Sequence, residues 1–139
     1  MISTNVLKKI DALIDEGDDY LNADDFSTAL GRYQRAAGMI PEPKHQFDIA
    51  LPVFTAIGEA YYYSGQYAQA LEAFKLAMKA PGGVENPLTH LRLGQAYYEL
   101  GDFDKSADEL TRAYMLGGSK IFDGEDEKYL SFLSQRIVL

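Results

Sequence analysis

The chain has 139 residues, no cysteine and a formal net charge of -8, from 21 acids against 13 bases. That length fits one domain able to bury roughly two thirds of the surface its unfolded form exposes, and 47% hydrophobic with 24% charged residues is the balance of a soluble globular chain. Disulfides, thiolate metal sites and a cysteine nucleophile are excluded, the negative charge opposes nucleic acid and anionic lipid, and no apolar run approaches the roughly eighteen residues of a membrane span.

The N-terminus lacks the basic stretch and apolar run of a secretory signal, which makes the cytoplasm the expected compartment. Val6, Leu7, Ile10, Leu13, Ile14 and Gly17 follow i, i+3, i+4, i+7 spacing and predict a first helix starting near Thr4. Asp25 is placed to cap a second helix beginning near Phe26. Phe47, Ala50, Leu51, Phe54, Ile57, Gly58 and Tyr61 continue one stripe, which predicts a long helix from about Lys44, bent where Pro52 removes a hydrogen-bond donor. After Pro81-Gly82-Gly83, Asn86-Pro87 reads as an N-cap followed by proline at the first helical position. Gly117-Gly118 reads as a helix stop. Asp123 is expected to cap a last helix carrying Tyr129, Leu130, Phe132, Leu133 and Ile137.

Two stretches repeat. Ile57-Gly58-Glu59-Ala60-Tyr61-Tyr62-Tyr63-Ser64-Gly65-Gln66-Tyr67 is echoed by Leu93-Gly94-Gln95-Ala96-Tyr97-Tyr98-Glu99-Leu100-Gly101-Asp102-Phe103. Downstream, Ala70, Phe74 and Ala77 recur in step as Ser106, Leu110 and Ala113. A weaker copy runs through Leu13, Gly17, Tyr20, Phe26, Ala29, Tyr33, Ala36 and Pro41, with Glu16 in place of the leucine and Asp24 in place of the turn glycine. The pattern resembles the tetratricopeptide repeat (TPR), whose period is about 34 residues.

The resemblance implies an all-α fold: a right-handed superhelical stack of three TPR helix pairs plus a C-terminal capping helix. It implies one domain over 1–139, with repeats at about 10–43, 51–84 and 87–120 and the capping helix at about 124–137. Gly58 and Gly94 would let paired helices approach closely, with Tyr61 and Phe74 filling the space between pairs.

Little in the sequence points to catalysis. His45 and His90 are the only histidines, neither has a second ligand one helical turn away, and His90 occupies a packing position of the repeat. The acidic stretches from Asp15 to Asp25 and from Asp123 to Glu127 lack the spacing of a calcium loop. Gly117-Gly118-Ser119-Lys120 lacks the order of a phosphate-binding loop. No catalytic residue, metal or cofactor is expected.

By the resemblance, the first helix of each pair lines a concave groove. Its inward positions hold Asp11, Asp15, Asp18 and Asn22 in repeat one, Thr55, Glu59, Tyr62 and Tyr63 in repeat two, and Arg92, Gln95, Tyr98 and Glu99 in repeat three. Such an acidic, tyrosine-lined face suits a protein partner with a basic surface or segment. Self-association stays open.

The cationic clamp with which chaperone adaptors of this family grip acidic tails has no counterpart here, its positions holding Ile14, Asp18, Thr55, Glu59, Leu91 and Gln95. Asn86 to Gln95, together with Arg112-Ala113-Tyr114-Met115, resembles small bacterial stand-alone repeat proteins encoded beside secreted toxins, which implies an immunity role. The alternative is a secretion chaperone or adaptor holding a substrate protein.

Overall fold

A computed structural model describes residues 1–139. It holds seven α-helices and no strand: α1 (Thr4–Asn22), α2 (Phe26–Gly38), α3 (Ala50–Tyr63), α4 (Tyr67–Lys79), α5 (Pro87–Glu99), α6 (Phe103–Gly117) and α7 (Glu127–Ser134). Short 3₁₀ turns at Lys44–Gln46 and Ser119–Phe122 precede α3 and α7. Helices pack mainly with their chain neighbours, α1 on α2, α3 on α4 and α5 on α6, and α2 and α4 join one pair to the next. None of the helices is long and apolar enough to cross a membrane.

Within each pair the crossing is set by a glycine and a large side chain sixteen residues later. A Cβ at Gly17 would collide with the Tyr33 ring, one at Gly58 with the Phe74 ring, and one at Gly94 with Leu110. The backbone of the first helix therefore rests on a fully buried side chain of the second, which fixes both the separation and the register of the pair.

The turn inside each pair is also repeated. Gly65 has φ 80° and Gly101 φ 82°, the left-handed conformation that glycine adopts without steric cost. Asp24, which breaks the sequence pattern, takes the same conformation at φ 61°; aspartate is among the few residues that tolerate it. The closing hydrogen bond is the same in each turn, from Asp25 N to Tyr20 O, Gln66 N to Tyr61 O and Asp102 N to Tyr97 O, each 2.9 Å.

Most helix starts follow a side chain that caps them, α3 and α4 excepted. Ser3, Asp25, Asn86 and Asp102 each accept a hydrogen bond from a first-turn amide of the following helix, a contact that stabilises a helix by about 1 kcal/mol. Gly118 ends α6 with φ 69°.

Two expectations are corrected. No long helix runs from Lys44: the Lys44 Nζ donates to the carbonyls of Ala37 (2.9 Å) and Ile40 (2.6 Å) at the end of α2, and Phe47 is extended and packs against the first core. Helix α3 begins only at Ala50, so Pro52 lies in its first turn, where its missing N–H has no intrahelical partner to lose. The last helix is capped by Asp126, whose side chain accepts from the Lys128 N–H at 2.9 Å, and not by Asp123, which ends the preceding 3₁₀ turn. That helix is correspondingly shorter than 124–137.

The core runs the length of the stack. Ile10, Tyr33, Val53 and Ile57 fill its first part, Ala70, Phe74, Leu93 and Ala96 join repeats two and three, and Leu91, Leu110, Phe122, Tyr129 and Leu133 close the C-terminal end. Tyr129 and Leu133 of α7 thus cover the apolar flank of the third pair, with Leu130, Phe132 and Ile137 half-buried around them.

Candidate protein-binding groove

The twelve residues expected to face a partner divide into an open half and a filled half. On α1, Asp11, Asp15, Asp18 and Asn22 are exposed. Asp18 accepts a 2.6 Å hydrogen bond from the Tyr33 hydroxyl, and burial, with this contact adding to it, drives the Tyr33 phenol well above its ordinary range. No lysine or arginine pairs with Asp11, Asp15 or Asp18.

Helix α3 supplies the middle of the face. Thr55 donates its hydroxyl proton back to the Leu51 carbonyl at 2.7 Å, a local bond that leaves the hydroxyl only as an acceptor for an outside contact. Tyr63 is 47% exposed, stacks on Phe26 at 6.4 Å and meets Tyr62 edge-on at 5.3 Å. Burial raises the Tyr62 phenol to about 12, and its hydroxyl is hydrogen-bonded to that of Tyr129.

On α5 the positions expected to face a partner are filled from within the chain. Arg92 is only 6% exposed and Gln95 is fully buried. The Arg92 guanidinium holds Glu59 Oε2 from both Nε (2.9 Å) and Nη2 (2.8 Å). Its Nη1 donates to Glu125 Oε1 at 2.6 Å and to Gln95 Oε1 at 2.9 Å, and Gln95 Nε2 donates to the same Glu125 oxygen at 2.7 Å.

One cation between two carboxylates fits the directions of the pKa shifts. Arg92 is raised, the attraction of Glu59 and Glu125 overriding the opposite effect of burial. Glu59 is also raised, because burial outweighs the attraction of Arg92, with the charges of Asp18 and Glu125 adding to it.

Tyr98 and Glu99 are likewise engaged from within. The Tyr98 ring meets Phe103, Tyr129 and Phe132 edge-on at 5.2 to 5.3 Å. Glu99 Oε1 accepts from the Tyr129 hydroxyl at 2.7 Å and from Lys128 Nζ at 2.6 Å, and that hydrogen bond raises the lysine. Sequence reasoning missed Glu125 and Lys128 as members of this face. The one signal available was their position in the predicted capping helix, which has to fold back on repeat three.

Outside the face, His90 is buried with Nδ1 2.6 Å from Glu109 Oε2 and Nε2 2.7 Å from the Val84 carbonyl oxygen. The ring pins the loop between repeats two and three to α6, in keeping with a packing role.

Residues 55–121 match the family model of the tetratricopeptide repeat. In fold, the chain is similar to the crystal structure of the Sgt2 TPR domain from Aspergillus fumigatus: the match has a TM-score of 0.70 at 20% sequence identity and covers 96% of this chain and 78% of that one. None of the curated proteins compared with the sequence matches it. The architecture is therefore a TPR helical stack closed by a C-terminal helix. In that stack α1, α3 and α5 are the first helices of the pairs, and α7 packs against α6 and the preceding 3₁₀ turn.

Proposed function

We propose that this chain is a non-catalytic scaffold that binds another protein through the groove face of its stack, and that the open end of the face takes a basic segment or surface. The observation that carries this reading is the contrast in charge pairing. Glu59, Glu99 and Glu125 are each matched by Arg92 or Lys128, whereas Asp11, Asp15 and Asp18 face solvent with no cation of the chain's own. Unmatched carboxylates along one helix face attract a basic partner through long-range potential, and the exposed Tyr63 beside them supplies rigid contact area. The expected ligand set at this end is Asp11, Asp15, Asp18, Asn22 and Tyr63.

Within that reading the specific role we favour is neutralisation of a protein toxin, supported by the resemblance of residues 86–95 and 112–115 to stand-alone repeat proteins of that kind. Co-expression with a toxin encoded beside this chain tests it. Wild type should protect cells, and the triple variant Asp11→Asn, Asp15→Asn, Asp18→Asn should protect less. If the triple variant protects as well as wild type and retains every captured partner, the acidic end of the groove is not the binding face. A chaperone would instead hold an aggregation-prone substrate in solution without blocking any activity.

A further inference from the structure

The filled half of the groove is occupied like a binding site. Glu125 enters a cradle made by Arg92 and Gln95, its Oε1 accepting from both at 2.6 and 2.7 Å. Four residues on, Tyr129 puts its ring against Tyr98 and its hydroxyl on Glu99 and Tyr62. Both receiving sets come from the first helices α3 and α5, and both incoming residues come from a single segment beyond the Gly117-Gly118 break.

We propose that residues 125–129 are an intramolecular ligand of the groove, and that a partner carrying an acidic residue followed four residues later by an aromatic one engages repeat three by displacing them. This inference rests on the groove being the binding face, and adds to it a second subsite and its regulation. The chemistry favours such an occupant. An arginine and a glutamine amide buried together need an acceptor between them, and Glu59 on the far side of the guanidinium keeps the arginine paired when Glu125 leaves. Glu125 sits in the bend just ahead of the Asp126 cap and Tyr129 in the first turn of α7, so one short segment carries both side chains to the groove. Because the tether holds the internal copy at an effective concentration of order millimolar, an outside segment sees only the fraction of chains in which the internal one has let go.

Two measurements on the full-length chain test this. The first titrates a fluorescently labelled peptide of residues 121–135 into wild type and into Glu125→Ala/Tyr129→Ala. The double variant should bind it at least tenfold more tightly than wild type, and the same peptide with glutamine in place of Glu125 should lose most of that gain. Equal binding by the two chains, or binding indifferent to the glutamine, overturns the proposal.

The second measurement follows amide hydrogen exchange in wild type, which keeps the question decidable if the double variant fails to fold. Amides of residues 127–134 should exchange through a local opening, at least tenfold faster than those in the middle of α5 and α6. Exchange of all three helices at the same rate marks a permanent cap and overturns the proposal. Neither measurement depends on the α1 carboxylates: a positive result here together with indifference to the Asp11, Asp15 and Asp18 variants leaves this subsite standing and removes the basic-partner reading.

Discussion

Glu125 reaches back across the third repeat to Arg92, with 2.6 Å between Oε1 and Nη1, and Arg92 in turn reaches repeat two through Glu59 at 2.8 Å. One guanidinium thus ties the C-terminal segment to two successive repeats in a largely dehydrated site. Removing the cation strands two carboxylates there, so Arg92→Ala should lower unfolding free energy by about 3 to 5 kcal/mol. Arg92→Lys should cost part of that, since an ammonium cannot reproduce the planar fork that holds both partners. Urea denaturation followed by circular dichroism measures both, and near-identical midpoints for Arg92→Ala and wild type would remove the pair from any stabilising role.

The paired glycines make a sharper test of the packing. Gly58→Ala forces a methyl group into the Phe74 ring and should destabilise by about 1 to 3 kcal/mol through overpacking; Gly94→Leu should cost at least as much. Gly31, inside α2, has open space where its Cβ would go, and Gly31→Ala should stabilise by about 0.5 to 1 kcal/mol because alanine loses less backbone freedom in a helix. The opposite signs matter more than the sizes. A Gly58→Ala protein that melts at or above the wild-type temperature contradicts the helix crossing described here.

These glycines mark how far the sequence could be read. Gly58, Gly94 and the turn residues Gly65 and Gly101 recur at fixed offsets because each does a job that only the backbone geometry of the repeat imposes, so pattern and fold map onto each other directly. Residues 44–49 defeated the same reasoning: an apolar stripe cannot reveal that Lys44 is pinned to the end of α2 and Phe47 extended.

The groove was legible as a set of positions and not as a set of environments. Periodicity places Arg92, Gln95, Tyr98 and Glu99 on one face, but whether that face meets water depends on where a segment about thirty residues later folds back. Glu125 and Lys128 look in sequence like ordinary solvated charges.

The tyrosines give the fold a defined alkaline limit. Burial raises Tyr62 to about 12 and Tyr33 and Tyr129 further still, each also hydrogen-bonded to a neighbouring side chain. For an acid whose folded-state pKa is raised, the unfolded chain loses its proton first, so the stability it contributes is intact below the ordinary phenol value of 10.0 and falls as pH rises above it. Denaturant midpoints should therefore decline steeply beyond pH 10, and phenolate absorbance from Tyr33 and Tyr129 should appear only with unfolding. Tyr129→Phe loses the bond to Glu99 and should be less stable by about 1.5 to 3 kcal/mol at pH 7, with the gap to wild type narrowing as pH rises above 10. A gap that stays constant to pH 11 contradicts the assignment.

The charge pairing also determines which substitutions can report on a basic partner. Glu59→Gln or Glu99→Gln disturbs an internal pair with Arg92 or Lys128 and so mixes loss of attraction with loss of packing. Asp11 and Asp15 have no such internal role, and Tyr63, although its ring also packs on Phe26 and Tyr62, stays half exposed and pairs with no charge. Each exposed carboxylate contributes only about 0 to 1 kcal/mol to affinity, whereas a tyrosine that becomes buried on binding contributes about 2 kcal/mol or more. The two kinds of residue should act on different rate constants, because long-range charge steers encounter while contact area holds the complex. With the partner immobilised for surface plasmon resonance at two salt concentrations, Asp11→Asn/Asp15→Asn should slow association and flatten its salt dependence with little change in dissociation. Tyr63→Ala should speed dissociation at both salts and leave association nearly unchanged. Charge reversal at Glu72 and Asp108, exposed on the second helices α4 and α6, should leave both constants as in wild type. If the Glu72 and Asp108 reversals alter binding while the α1 and α3 substitutions do not, the partner sits on the opposite face of the stack.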